Sequence, residues 1–96
     1  MPDGINANEN TGAKEYYMKM IDQLINHDIT PMVTLYHWDL PSALYTEDCK
    51  GWICDDIIEH FGNYAKYCFE TFGEKVKYWI TLNEPAVFSD SGYEYW

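Results

Sequence analysis

Two runs, PMVTLYHW at residues 31–38 and VKYWITL at residues 76–82, limit what this chain can fold into more than any other feature. Both are short, apolar, and rich in β-branched and aromatic residues, with no polar alternation. Each therefore reads as a buried strand, and the continuous apolarity suits a parallel sheet covered on both faces. Between them, Ile57, Ile58, Phe61, Tyr64, Ala65, Cys68, Phe69 and Phe72 recur at spacings of three and four, which predicts a helix from about Asp55 to Phe72. Asp55 and Asp56 suit its N-terminal end, and Gly73 suits its stop. A strand, a crossover helix and a second strand form a right-handed βαβ unit with parallel strands.

Upstream, Tyr17, Met20, Ile21, Leu24 and Ile25 predict an amphipathic helix over about Ala13 to His27, with Thr11 as its cap after a polar loop of about a dozen residues. Pro31 ends that helix, and the stretch from Asp39 to about Ile53, with Pro41 and Gly51, reads as a longer loop. The order is helix, strand, helix, strand. Two parallel strands alone would leave both edges unpaired and apolar faces in water. The chain, residues 1–96, is therefore expected to be a segment of one larger α/β domain. A (β/α)8 barrel of ~250 residues and a doubly wound sheet are both candidates, and the lack of a Gly-rich turn after either strand argues against a dinucleotide site.

Composition narrows the partners. Sixteen acids against six bases give a formal charge of −10, which disfavours nucleic acid or an anionic membrane surface and leaves a neutral ligand open. No apolar run approaches the ~20 residues of a membrane-spanning helix. The first residues lack the pattern of a signal peptide, which bears on compartment only if they are the true start. Cys49, Cys54 and Cys68 are an odd number without a CxxC pair, so reduced structural thiols are expected, with neither a disulfide framework nor a zinc site. His27 and His60 lie on predicted helices and are read as surface residues, and the aromatic stripes at helical spacing as core.

In such folds chemistry sits at the C-terminal ends of the strands. Here those ends read YHWDLP and LNEP. Because the strands are parallel, His37, Trp38, Asn83 and Glu84 emerge on the same side. One histidine with the scattered acids Asp39 and Glu84 lacks metal-ligand spacing, so no metal and no cofactor is expected there.

MVTLYHWDLPSAL, then GW, FGNYAKYCFETFGEKVKYWITLNEP and VFSDSGY, resemble the region around the third and fourth barrel strands of glycoside hydrolase family 1, the β-glucosidase type. The opening PDGINANENTGAKEYYMKMIDQLINHDITPMVTLYHWDLP fits the same family. The resemblance implies a partial (β/α)8 barrel of a retaining β-glycosidase acting on a small β-glycoside. By the same implication Glu84 is the general acid/base, Asn83 binds the sugar 2-hydroxyl, and His37 and Trp38 contact sugar hydroxyls; Asp39 braces its loop. A general acid near neutral pH needs a raised pKa, which burial beside a second carboxylate would give. That carboxylate, the nucleophile, lies ~5–5.5 Å from the acid in retaining enzymes; in the family it comes from a later strand, absent from these 96 residues, as is the early strand with its sugar-binding Gln. Lys50 departs from the family's first glycine before the Trp. The alternative expectation is a truncated, inactive product with at most weak sugar binding or self-association. Sugar preference and compartment are not legible.

Overall fold

The computed structural model describes residues 9–94; residues 1–8 of the polar N-terminal loop and residues 95–96 lie outside them. Helix α1 spans Thr11–Asn26, strand β1 Met32–Tyr36, helix α2 Asp56–Phe72, strand β2 Tyr78–Leu82, and a short helix α3 Pro85–Ser89, followed by a wide helical turn over Asp90–Glu94. Thr11 is not the cap of α1. Asn10 is: its Oδ1 accepts the Ala13 N–H at 3.0 Å, because its carboxamide reaches an amide that lacks an intrahelical partner. Helix α2 stops at Gly73 as expected, although that residue keeps a right-handed backbone, φ −63°.

β1 and β2 pair in parallel, with Met32 opposite Tyr78, Val33 opposite Trp79, Thr34 opposite Ile80 and Tyr36 opposite Leu82. Strand alternation divides these residues between two faces. Val33, Leu35 and Trp79 point toward the helices. There Ile21 of α1, Leu35, Cys68 and Phe72 of α2, and Val76 form the core, with Phe61, Tyr64 and Trp79 packed against it. The opposite face is bare over most of its length: Met32 is 62%, Tyr78 55% and Ile80 43% exposed. Only at its top is it covered, where Tyr36 meets the rings of Trp52 and Phe88 at 4.9 and 5.3 Å.

The loop from β1 to α2 is more ordered than its sequence suggests. Ser42–Leu44 and Gly51–Ile53 each make a 3₁₀ turn, and Tyr45 and Lys50 form an isolated antiparallel bridge. Gly51 is required where it stands: its φ is +59°, and a Cβ would lie 2.5 Å from Leu40 Cδ2 and 2.7 Å from the Tyr93 hydroxyl. That same hydroxyl accepts the Trp52 N–H at 2.8 Å. The turn overturns the expectation of three free thiols, because it folds the chain back until the Cα atoms of Cys49 and Cys54 are 5.3 Å apart and the two are disulfide-bonded. Cys68 alone is free, and buried.

Candidate active site

Both strands run into a residue with a left-handed backbone. Trp38, two residues past β1, has φ +72°, and Glu84, two past β2, has φ +46°. A left-handed backbone at a residue with a side chain costs about 1–2 kcal/mol, so two aligned instances mark the lip as held by its surroundings. At Glu84 the cause is local. Pro85 disfavours a right-handed helical conformation in the residue before it, and Pro85 itself opens α3, whose first turn donates Val87 N–H to the Glu84 carbonyl at 3.0 Å.

Three hydrogen bonds tie the two lips. The ladder runs one residue beyond the strands, with Asn83 N–H donating to the Tyr36 carbonyl at 2.9 Å. The Trp38 indole N–H donates to the Asn83 carbonyl at 3.0 Å. Asn83 Nδ2 lies 3.2 Å from His37 Nε2; for the amide to donate, the imidazole carries its proton on Nδ1 and presents Nε2 as acceptor. That leaves Asn83 Oδ1 and His37 Nδ1–H, one acceptor and one donor, for another molecule. Asp39 turns back on its own loop, its Oδ1 near the His37 N–H at 3.4 Å.

All four residues singled out in the sequence are therefore gathered at one end of the sheet. His37, Trp38 and Glu84 are exposed and Asn83 is half-buried. What the sequence did not reveal is the scaffold underneath. The Trp52 ring, tilted 5.6 Å from Phe88 and 5.4 Å from Phe61, links loop, α3 and α2 beneath the lip. Tyr64 donates its hydroxyl to the Leu35 carbonyl at 2.8 Å, and burial pushes that phenol well above its ordinary value. Tyr64 lay in the helical stripe and was read as core; Trp52 lay in a loop, where no periodicity reports burial.

A family model described as glycosyl hydrolase family 1 matches residues 1–95. A cytosolic β-glucosidase of Cavia porcellus is 50% identical over 94 residues, which are 98% of this chain and 20% of that protein. The crystal structure of a rice β-glucosidase superimposes with a TM-score of 0.90 at 46% identity, over 97% of this chain and 19% of that one. A β-glucosidase from Thermotoga maritima in complex with deoxynojirimycin gives 0.91 at 44% identity, over 98% of this chain and 21% of that one. The chain thus spans about a fifth of the length of these relatives, and the solved ones are (β/α)8 barrels.

Proposed function

The chain belongs to glycosyl hydrolase family 1, and from that premise we propose that it is the sector of a retaining β-glycosidase barrel around the third and fourth strands, which carries the general acid/base. Glu84 protonates the glycosidic oxygen as the aglycone leaves, then removes a proton from the water that releases the sugar. Asn83 receives the sugar 2-hydroxyl on Oδ1, a contact that tightens as charge develops on the ring, and His37 donates from Nδ1 to a neighbouring hydroxyl. Trp38 is assigned differently from the sequence reading. Its indole N–H is already engaged by the Asn83 carbonyl, so it braces the acid's turn and meets the sugar through its ring rather than by hydrogen bonding. The nucleophilic carboxylate is supplied by another strand of the barrel.

The observation that carries this reading is the bond between His37 and Asn83, side chains 46 residues apart in sequence and 3.2 Å apart in space. It leaves a donor and an acceptor side by side, next to an acid on a constrained turn. The test is a transplant. Residues 1–96 replace the matching segment of the Thermotoga enzyme, and hydrolysis of a β-glucoside with a poor leaving group is followed. The chimera is expected to turn over, and Glu84→Gln to reduce its rate by roughly 10²–10⁴-fold, the usual contribution of general acid–base catalysis. External azide, which needs no general base, is expected to restore part of the loss with an activated aryl glucoside. An active chimera indifferent to Glu84→Gln would refute the assignment. The 96-residue chain alone is expected to hydrolyse nothing measurable.

A further inference from the structure

Away from the strand ends, the loop between β1 and α2 gathers a second set of chemically distinctive groups. Cys49 and Cys54 are disulfide-bonded, and an Asp56 carboxylate oxygen lies within 4.8 Å of both sulfurs. Asp56 opens α2, and His60 follows four residues later on the same helix face. His60 is half-buried and, with Cys49 and Asp56, lines one small cavity of about 170 Å³. His60 is thus a partly exposed residue that also faces the cavity lined by Cys49 and Asp56.

We propose that this cluster is a redox-gated metal site: when the disulfide is reduced, Cys49, Cys54, Asp56 and His60 bind one Zn²⁺ ion. The opening step balances with a dithiol reductant. Two electrons and two protons pass to the sulfurs, giving two thiols while the reductant closes to its own disulfide. Zn²⁺ then displaces the two thiol protons. Two thiolates, one imidazole and one carboxylate are donors that tetrahedral Zn²⁺ accepts, and a Zn–S distance of about 2.3 Å separates two sulfurs by ~3.8 Å. The ligand atoms of Cys49, Cys54 and Asp56 already lie within 4.8 Å of one another, and His60, on the wall of the cavity that Cys49 and Asp56 also line, joins them by a side-chain rotation once the disulfide is reduced. Because two protons leave, affinity rises with pH. Cys68 does not compete, since it is buried in the core with Ile21, Leu35 and Phe72 and lies outside this cluster.

The site does not depend on the glycosidase reading, so its test needs no activity. The chain, reduced with a phosphine that does not compete for the metal, is titrated with Zn²⁺ against a chromophoric chelator, and with Cd²⁺ while thiolate-to-metal charge transfer is read in the ultraviolet. One ion per reduced chain is expected, with none bound by the oxidised chain. Cys49→Ser and Cys54→Ser are each expected to cost more than the roughly 10–100-fold loss that follows removal of an outer-shell partner. Asp56→Asn and His60→Ala, changes that leave helix α2 intact by circular dichroism, are expected to weaken binding at least ~10-fold, while Cys68→Ser leaves it unchanged. Equal binding by the oxidised and reduced chains, loss of binding in Cys68→Ser, or full affinity in His60→Ala would each overturn the four-ligand site.

Discussion

Glu84 and Trp38 keep a left-handed backbone while bearing large side chains, and Gly51 keeps one where no side chain fits. These are different kinds of constraint. The first two are strained positions held by neighbours: Pro85 and α3 on one side, the indole-to-carbonyl bond on the other. Gly51 is a position of close approach, wedged between Leu40 and Tyr93. Gly51→Ala must shift both neighbours and adopt an unfavourable φ, at a cost of about 1–3 kcal/mol. Its expected signature is faster amide exchange at Trp52, whose N–H is held by the displaced Tyr93 hydroxyl; unchanged protection there would refute it. The strand-end residues were legible in the sequence because each sits where an apolar run stops at an acid and a proline. The left-handed turns were not, since nothing in a Trp or Glu announces a positive φ.

At the scale of elements, helices and strands could be read from their periods, whereas the loop could not. Apolar spacing located α2 to within a residue of Asp56–Phe72. The 3₁₀ turns, the Tyr45–Lys50 bridge and the disulfide arise from contacts between residues with no shared period, and the cysteine count pointed the wrong way because buried Cys68 made it odd. The start of α1 is tied to α2 by Glu9, which accepts from Lys14 Nζ and from the Tyr67 hydroxyl, both at 2.7 Å. The Lys14 ammonium first, and the Tyr67 hydroxyl second, hold the Glu9 carboxyl below its ordinary value. A carboxyl depressed in the folded state stabilises it above the unfolded pKa, and this contribution disappears as pH falls through the lower folded value. The tether is exposed, so its effect is small and salt-sensitive. Followed by NMR, Glu9 is expected to titrate below the usual carboxylate range, and to move back toward it in Tyr67→Phe; an ordinary midpoint in both chains would exclude the tether.

For the whole molecule, the decisive feature is a sheet with one covered face. The radius of gyration is 14.8 Å, against about 12.5 Å for a compact domain of this length, and Val76 is the one large side chain fully buried among the described residues. Met32, Tyr78 and Ile80 line a bare apolar face, so concentration-dependent self-association is expected in sedimentation velocity; a single monomeric boundary with cooperative unfolding would contradict it. The edge adds to this tendency unevenly. Ladder geometry directs the Tyr36 carbonyl toward β2 and the Leu35 carbonyl toward the open edge, where the Tyr64 hydroxyl occupies it. Tyr64→Phe is therefore expected to increase association, and no change would show that the edge is silent. The spacing of these contacts also sets an order of events during synthesis. At roughly 5–20 residues per second, the 46 residues between His37 and Asn83 take a ribosome about 2–9 s, during which β1 waits for β2. Tyr64 follows Leu35 by only 29 residues, so α2 can reach β1 first and guard its edge while the ribosome is still making β2.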